Sequence, residues 1–234
     1  MSCVFFTGAN RGIGLELVRQ YAADGWRVIA TCRDPNGAAD LARIAGESDG
    51  RVERYPLDVT DASSVAAVAE ALASASIDVL INNAGMGFPT KPPHDRFGNT
   101  DYARWKETLD VNVLGVMRVA EALAEQVTRS ELKMMVTISS GMGSITNASA
   151  DGETVYRTSK AAVNMLTKMI AGYVADRGIT VTAIGPGWVR TDMGGPNATF
   201  GVEEAVSRVR KVIKGLTPAD SGSYFDNQGQ SVPW

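Results

Sequence analysis

The chain has 234 residues, of which 44% are hydrophobic and 21% are charged, an ordinary globular composition. That length is enough for one large α/β domain with a full core and too short for two domains of ordinary size. Its 23 Lys and Arg residues against 26 Asp and Glu residues give a formal net charge of -3, so no basic field favours nucleic acid or an anionic membrane, and we expect a small-molecule partner.

The chain begins without a basic leader and a long apolar run, and no apolar stretch is long enough to span a bilayer, so we expect a cytoplasmic protein with no membrane partner. In that setting Cys3 and Cys32 are expected to be reduced thiols. His94 is the only histidine in the sequence, and no Cys/His cluster has the spacing of metal ligands. We therefore expect no metal site and no Ser-His-Asp triad built on any other histidine.

Short apolar runs alternate along the chain with longer segments of helical periodicity. Nearly continuous apolar strands between helices predict a single α/β domain over residues 1–234, with a Rossmann-type, doubly wound, seven-stranded parallel sheet and helices on both faces. Ligands bind such sheets at the carboxyl ends of the strands, where the Gly- and Pro-rich segments 85–101 and 185–201 emerge. The strands are expected near 2–6, 27–31, 51–55, 77–81, 133–139 and 179–185, with a last one near 222–225 or at the C-terminus.

The first strand leads into a glycine-rich loop and then a helix. Glycines let backbone N–H groups approach a pyrophosphate at the helix N-terminus, where the helix dipole favours anions. A glycine-rich turn without a ligand has the same composition, but the position between the first strand and the first helix favours dinucleotide binding. The residues of this loop that we expect to contact the cofactor are Gly8, Asn10, Arg11, Gly12, Ile13 and Gly14.

The end of the second strand bears on the choice between NAD and NADP. An acidic residue there would bind the ribose 2′-hydroxyl of NAD, whereas an arginine suits the 2′-phosphate of NADP. Neutral Cys32 and then Arg33 follow the strand, while Asp34 precedes Pro35 and is typical of a turn or a helix cap. Arg11 adds a second cation on that side. We expect NADP(H) to be preferred and NAD(H) to be possible; the alternative is that Arg33 is only a solvated loop charge.

Two further motifs follow the third and fourth strands. Asp58-Val59 would place a carboxylate near the adenine, and Asp58 could equally cap the next helix. Asn82-Asn83-Ala84-Gly85 combines amides that can tie neighbouring strand ends together with small residues that permit close approach of a flat ligand.

Tyr156 and Lys160 lie four residues apart in a segment of helical periodicity, 154–174, so both side chains project from one helix face with their Cβ atoms roughly 5–6 Å apart. A positive charge beside a phenol favours the phenolate and lowers the phenol's pKa, which would let Tyr156 act as a general acid or base near neutral pH. By itself the pattern is more often an aromatic residue and a lysine on a solvated helix surface, so the surrounding motifs decide its meaning.

Together these motifs resemble those of the short-chain dehydrogenase/reductase family over essentially the whole chain. The segments 139–144, 156–162 and 232–234 look like the C-factor and Sniffer-type carbonyl reductase branch of that family. The matching residues are Thr7-Gly8-x-x-x-Gly12-x-Gly14, Asp58, Asn82-Asn83-Ala84-Gly85, Asn112, Ser139-Ser140, Tyr156-x-x-x-Lys160 and Pro186-Gly187-x-x-x-Thr191.

The resemblance implies an NADP-dependent carbonyl reductase. Tyr156 would donate a proton to the substrate carbonyl, and Lys160 would bind the nicotinamide ribose and lower the pKa of Tyr156. Ser140 would polarise the carbonyl, and Asn112, in a long helix over about 103–127, would hold a water in a proton relay. Asn83 and Gly85 would flank the adenosine, and Thr191 would hold the carboxamide. The cofactor-binding residues implied beyond the glycine loop are Arg33, Asp58, Val59, Asn83, Ala84, Gly85, Tyr156, Lys160, Pro186, Gly187, Val189 and Thr191.

One departure from the family pattern concerns the active serine. Ser140 and Tyr156 are 16 residues apart, a longer separation than is common in the family, so 147–153 is interpreted as a short insertion. Ser139 therefore stays an alternative to Ser140, which we prefer.

Substrate choice is expected to come from three loops, 86–101, 141–153 and 192–201. Their apolar side chains predict an apolar or aromatic carbonyl substrate or the corresponding alcohol. His94 is expected to be a loop residue rather than a catalyst, and 194–197 could form either a lid or an ordinary turn. The apolar residues concerned are Phe88, Pro89, Pro92, Pro93, Phe97, Trp188, Met193, Pro196 and Phe200.

The family usually pairs through two helices, which correspond here to 103–127 and 154–176, so we expect a homodimer, with a tetramer possible. Their periodicity does not distinguish a partner from the protein's own sheet.

Two other functions compete with a reductase. One is a C-factor-like regulator that binds NAD(P) with little turnover, against which the complete set Asn112, Ser140, Tyr156 and Lys160 argues. The other is an epimerase or dehydratase, against which the glycine spacing argues.

Overall fold

The computed structural model describes residues 1–87, 95–149 and 152–234. Its strands are β1 (Cys3–Thr7), β2 (Arg27–Cys32), β3 (Val52–Pro56), β4 (Val79–Asn82), β5 (Asp95–Arg96), β6 (Asn99–Thr100), β7 (Met134–Ile138), β8 (Thr180–Ile184) and β9 (Ser223–Phe225). Its α-helices are α1 (Gly12–Ala23), α2 (Ala39–Gly46), α3 (Ala62–Ala71), α4 (Tyr102–Leu109), α5 (Gly115–Thr128), α6 (Thr154–Tyr173) and α7 (Val202–Gly215).

Seven strands form one parallel sheet in the order β3-β2-β1-β4-β7-β8-β9. The strand order reverses direction between β1 and β4, and such a switch point leaves a crevice at the carboxyl edge of the sheet. The predicted seven-stranded doubly wound fold is confirmed, and each main strand lies within two residues of its predicted bounds. The short antiparallel pair β5 and β6, inside the expected loop 86–101, was not predicted.

Helices cover both faces of the sheet because the central strands are apolar on both sides. β1 is buried along its whole length, with Phe5 facing one core and Phe6 the other. The first core contains residues of α3, α5 and α6, and the second contains residues of α1, α2 and α7. α1 and α6, which carry the glycine loop and the Tyr156 motif, therefore lie on opposite faces and meet the same edge of the sheet.

The helix predicted over 103–127 is present but is not uniform. A π-helical turn at Asp110–Leu114 separates α4 from α5. Such turns insert one extra residue into a helix and are frequent at functional sites. Asn112 lies at the centre of this turn.

In the part of the chain that the structure describes, no helix combines the length and apolarity needed to cross a membrane. Cys3 and Cys32 are buried free thiols, as expected. Within the same described residues, no group of His, Cys, Asp and Glu side chains could hold a metal ion. His94 lies outside the described residues.

Candidate active site

The residues predicted to form the site meet at the carboxyl edge of the sheet. Each motif follows a strand directly or by two residues: the glycine loop follows β1, Arg33 follows β2, Asp58-Val59 follows β3, Asn83 to Gly85 follows β4, Ser140 follows β7 and Pro186 to Thr191 follows β8. Tyr156 and Lys160 approach from α6, and Asn112 from the π-helical turn.

The glycine loop is packed so closely that it admits no side chain at two of its positions. A Cβ atom on Gly14 would lie 2.1 Å from the Gly8 carbonyl oxygen, and Gly8, at φ +68°, would place a Cβ 2.9 Å from Ala84 Cα. These glycines therefore hold α1 against β1 and β4. α1 begins at Gly12, and no side chain caps its first turn. Its first backbone N–H groups are consequently available to an anion, as a dinucleotide pyrophosphate requires.

The segment after β8 lies over the same helix end. A Cβ on Gly12 would lie 3.4 Å from Thr191 Cγ2, which places Thr191 beside the glycine loop. The Arg11 guanidinium pairs with Asp192 at 3.0 Å, and both side chains are largely exposed. Arg11 was expected to be a second cation on the 2′-phosphate side. In this structure the charge of Arg11 is directed toward Asp192, and the expected contact with the cofactor stays a prediction.

Arg33 and Asp34, the two charged residues after β2, differ in whether other protein groups bind them. The Asp34 carboxylate accepts the backbone N–H groups of Asn36 and Gly37, at 3.1 and 2.9 Å. The prediction that Asp34 is a turn residue is thus confirmed. Arg33 is exposed and forms no hydrogen bond or ion pair with any other described residue. The end of β2 therefore presents a cation rather than an anion.

Asp58 lies near Arg33, and one of its carboxylate oxygens accepts hydrogen bonds from a neighbouring residue. Its Oδ1 accepts from the Thr60 hydroxyl and backbone N–H, at 2.7 and 2.9 Å. These bonds, helped by the nearby Arg33 charge, lower the pKa of Asp58. The cap of α3 is Asp61, so the alternative that Asp58 caps this helix is wrong. Val59 is buried behind Asp58, against Gly115.

Asn83 ties the ends of β1 and β4 together. Its Nδ2 donates to the carbonyls of Thr7 and Gly8, both at 3.0 Å. The Thr7 hydroxyl in turn accepts from the backbone N–H groups of Asn83 and Ala84. The amide motif thus fixes the floor of the crevice, as the sequence indicated.

Tyr156, Lys160 and Ser140 form one cluster. The Lys160 Nζ lies 5.6 Å from the centre of the Tyr156 ring and donates to the Ile138 carbonyl at 2.9 Å. The Ser140 side chain is close enough to the Tyr156 phenol to act on its pKa. The Ser140 Oγ also accepts from the Met142 N–H at 3.2 Å, which leaves its own proton free for the phenol or for a substrate oxygen.

Ser139 is excluded from this cluster by its own hydrogen bond. Its buried hydroxyl donates to Asn164 Oδ1 at 2.5 Å, on the side of the loop that faces α6. Ser140 is partly exposed at the crevice. The geometry therefore favours Ser140 over Ser139 for contact with a substrate.

Burial controls the titration of the cluster. Desolvation raises the pKa of the Tyr156 phenol to about 12; the Ser140 hydrogen bond opposes this, and the Glu153 carboxylate adds to it. Burial likewise lowers the pKa of Lys160 to about 8. We expected the neighbouring Lys160 to lower the pKa of Tyr156, but the net shift is upward because burial of the phenol is its largest cause. Tyr156 is consequently protonated at neutral pH, as a proton donor must be.

The side-chain amide of Asn112 binds protein groups through both its oxygen and its nitrogen. Its Oδ1 accepts from the Met86 N–H at 2.7 Å, and its Nδ2 donates to the Met86 carbonyl at 2.9 Å and to Ser159 Oγ at 3.0 Å. The side-chain amide therefore joins the end of β4 to α6. Its Oδ1 keeps a second acceptor site, at which the water of the expected proton relay could bind.

Gly85 leaves space at the centre of the crevice. A Cβ placed on it would lie 3.5 Å from Asn112 Oδ1 and 3.8 Å from Lys160 Nζ, in ordinary contact. Gly85 thus adjoins Lys160, whereas it was expected on the adenosine side with Asn83.

One edge of the sheet combines three features of a cofactor site. The uncapped start of α1 is an anion site, Arg33 is a free cation, and the cleft at Gly85 is an open surface. These residues fit a phosphorylated dinucleotide.

The segment 188–201 is folded on itself. Trp188 Nε1 donates to the Gly194 carbonyl at 2.8 Å, and Arg190 donates to the carbonyls of Ala198 and Thr199. Val189 is buried, and the Pro186 carbonyl accepts from Asn227 Nδ2 at 2.9 Å. These bonds favour an ordered turn over a hinged lid.

The expected apolar mouth is only partly present. Trp188 and Met193 are exposed, and Met193 lies against Gly87 of the loop after β4. Phe200 instead packs near Gly187 and under Arg208, away from the mouth. Phe97 projects from the β5–β6 turn, and Asn10 is exposed beside the glycine loop. Residues 88–94 and 150–151, which include Phe88 and Pro89, lie outside the described residues.

Two residues at the site were not predicted. Asn164 follows Lys160 by four residues, so the spacing that pairs Tyr156 with Lys160 would have placed it on the same helix face. Tyr224 in β9 donates a hydrogen bond to the Ser140 carbonyl at 2.6 Å. No local pattern links Tyr224 to a residue 84 positions earlier, so only the fold reveals this contact.

Comparison with known proteins gives consistent matches. A family model described as short chain dehydrogenase matches residues 2–200. The C-signal protein of Myxococcus xanthus is 39% identical over 158 residues, which cover 68% of this chain and 93% of that protein. The NADPH-bound carbonyl reductase from chicken fatty liver has a TM-score of 0.91 at 33% identity, covering 100% of this chain and 99% of the other. The carbonyl reductase Sniffer of D. melanogaster has a TM-score of 0.90 at 25% identity, covering 100% of both chains.

Proposed function

Since the chain belongs to the short-chain dehydrogenase family, as its motifs predicted, we propose that it is an NADPH-dependent oxidoreductase that reduces a carbonyl group to an alcohol. The observation that carries this proposal is the pairing of Ser140 with a protonated Tyr156, with buried Lys160 beside the phenol ring. The two neighbouring hydroxyls are hydrogen-bond donors, as a carbonyl oxygen gaining negative charge requires.

The cofactor would lie along the carboxyl edge of the sheet. The start of α1 would hold the pyrophosphate, Arg33 the 2′-phosphate and Asp58-Val59 the adenine. Gly85 leaves room for the ribose beside Lys160, and Thr191 lies where it could hold the carboxamide. When bound, NADPH would supply a hydride, which carries both electrons of the reduction.

The protein's own groups handle the proton. Tyr156 Oη donates its proton to the substrate oxygen, so that C=O gains one hydrogen at carbon and one at oxygen. Ser140 donates a hydrogen bond to the same oxygen and stabilises its developing charge. Lys160 is held by the Ile138 carbonyl, where its remaining N–H donors can bind ribose hydroxyls. Donors fixed in this way need little reorganisation during the reaction.

The substrate we propose is an apolar or aromatic aldehyde or ketone. Exposed Trp188 and Met193 lie at the mouth of the crevice and would contact its apolar part.

We further propose that the protein is a cytoplasmic homodimer paired through α4–α5 and α6. The support for this pairing is a set of exposed apolar residues. They include Leu114 in the π-helical turn between α4 and α5, and Met165 and Tyr173 on α6.

A second candidate is an NAD(P)-binding regulatory protein with little turnover. The observation in its favour is the 39% identity to C-signal, which this chain covers almost completely. Such a protein needs the glycine loop and Arg33 but no proton donor. The two functions therefore differ in whether Tyr156 matters beyond cofactor binding.

The test is the oxidation of NADPH and NADH by the purified protein with a panel of aromatic aldehydes, diketones and quinones. We expect turnover with NADPH preferred, and its loss in Tyr156→Phe while NADPH affinity stays within a few-fold. Turnover retained by Tyr156→Phe would remove Tyr156 as the acid. Cofactor binding without turnover of any panel compound would favour the regulatory protein.

A further inference from the structure

Tyr224 connects the last strand to the loop that carries Ser140. It is 1% exposed, and its Oη donates to the Ser140 carbonyl oxygen at 2.6 Å. That short distance marks a strong hydrogen bond between neutral groups. The contact joins β9 to the end of β7 across the intervening strand β8.

The Ser140 carbonyl accepts one other hydrogen bond, from the Gly143 N–H at 2.8 Å. That bond closes the 3₁₀ turn at Gly141–Gly143 and is local, so it does not determine how the turn is oriented on the sheet. On the α6 side, Asn164 donates to the Gly143 carbonyl at 3.3 Å. Tyr224 holds the opposite side of the turn. Since the Met142 N–H within this turn also binds the Ser140 Oγ, the turn's orientation determines where the Ser140 hydroxyl points.

Tyr224 is itself held by the C-terminal strap, which we define as residues 231–234. The Val232 N–H donates to the Tyr224 carbonyl at 2.9 Å, and the Trp234 ring stacks on the Tyr224 ring with 5.6 Å between centroids. The Trp234 carbonyl oxygen accepts from the Thr146 N–H at 2.9 Å, and Ser144 Oγ donates to the Pro233 carbonyl at 2.6 Å. The strap thus binds both Tyr224 and the loop after Ser140.

We propose that Tyr224 is a positioning residue for carbonyl reduction: it orients Ser140 toward the substrate oxygen through the Ser140 carbonyl. This inference rests on the proposed function, in which Ser140 donates to that oxygen. Tyr224 itself touches no reacting atom. Removing its hydroxyl should let the turn rotate and should reduce the rate without weakening cofactor binding.

Tyr224→Phe tests this role because it keeps the ring that stacks on Trp234. The matched control is Tyr21→Phe, which removes an equally buried phenol between α1 and α7, remote from Ser140. We expect Tyr224→Phe to lower kcat about tenfold, the effect of losing one well-placed hydrogen bond. NADPH affinity should stay within about twofold of wild type. Tyr21→Phe should keep the wild-type kcat, although it too loses a buried hydroxyl.

A double-mutant cycle distinguishes a specific effect of Tyr224 on the orientation of Ser140 from a general loss of structural order. In the background of Ser140→Ala, the hydroxyl that Tyr224 orients is absent, so Tyr224→Phe should change the residual kcat less than about twofold. A general structural role would predict the same tenfold loss in both backgrounds. Equal losses would therefore overturn the proposal.

Hydrogen–deuterium exchange gives a readout that does not depend on turnover. The peptide over residues 139–146 should take up deuterium faster in Tyr224→Phe than in wild type or in Tyr21→Phe. An active wild type with Tyr224→Phe equal to Tyr21→Phe in both kcat and exchange would overturn the proposal. An inactive wild type would overturn the proposed function, and unchanged exchange at 139–146 would then overturn the positioning of Ser140 as well.

Discussion

Ser139 and Ser140 are neighbours of the same type with different surroundings. Successive side chains of an extended segment point to opposite sides, so Ser139 points into the core and Ser140 toward the crevice. Ser139 donates to Asn164 within the core, whereas Ser140 meets Tyr156. Their substitutions should therefore have different effects.

We predict that Ser140→Ala lowers kcat by about 10²–10³-fold, the usual cost of removing one donor to a developing oxyanion, with little change in stability. Ser139→Ala should lower kcat much less but should cost about 1–3 kcal/mol of unfolding free energy, because it leaves Asn164 Oδ1 buried without its donor. Steady-state kinetics and urea denaturation of both variants check this pair. The reverse pattern would make Ser139 the active serine.

Arg33 is the residue that we propose to determine cofactor choice. We predict that Arg33→Ala weakens NADPH binding by about 10–100-fold and leaves NADH binding nearly unchanged, because a charge-assisted bond to phosphate contributes roughly 1.5–3 kcal/mol. The control is Arg43→Ala, an exposed arginine on α2 that pairs with Asp40 and Glu47. Fluorescence titration with both cofactors measures the effect. Equal weakening of NADPH and NADH would show that Arg33 does not bind the 2′-phosphate.

At the scale of elements, the glycines of α1 and α6 have opposite environments. Gly14 lies in the first turn of α1, where a Cβ would lie 2.1 Å from the Gly8 carbonyl oxygen. Gly172, near the end of α6, is exposed, and a Cβ there would meet nothing within 4 Å. Only the first glycine is required by packing.

We predict that Gly14→Ala destabilises the protein by about 1–3 kcal/mol and weakens NADPH binding, because α1 must move away from β1. Gly172→Ala should instead stabilise it by about 0.5–1 kcal/mol, since alanine loses less backbone entropy in a helix. Urea denaturation curves for the two variants make the comparison. A neutral Gly14→Ala would mean that the loop can relax and that its close packing is not required.

At the scale of the whole molecule, the burial of Lys160 links stability to pH. Its pKa of about 8 lies below the 10.5 of an exposed lysine, so between these values the unfolded chain binds more protons than the folded one. The contribution of Lys160 to the unfolding free energy should therefore rise with pH over this window. Tyr156, with a pKa raised to about 12, acts in the opposite direction only above about pH 10.

We predict that wild type gains more unfolding free energy than Lys160→Met when the pH is raised from about 7 to about 9.5, because methionine has no proton to release. Lys168→Met, on the exposed face of the same helix, should keep the wild-type gain. Urea denaturation of the three proteins at both pH values tests this. An identical gain in wild type and Lys160→Met would show that Lys160 titrates normally.

The sequence by itself determined the features that depend on neighbours along the chain. Apolar runs and their spacing predicted the seven main strands, because a strand buried on both faces must be apolar throughout. The family motifs are short and ordered along the chain, so the sequence alone revealed the resemblance. The match to the family model confirms it. The spacing of Tyr156 and Lys160 placed both on one face of α6, since the helical repeat alone fixes that relation.

Only the tertiary structure decided what depends on groups distant in sequence. The choice of Ser140 over Ser139 required the position of Asn164, and the direction of Arg11 required Asp192. The pKa of Tyr156 moved opposite to expectation because burial sums over all surrounding atoms, whereas the sequence shows only the nearby lysine. The contact of Tyr224 with Ser140 arises from strand order, which brings together residues that no local pattern relates.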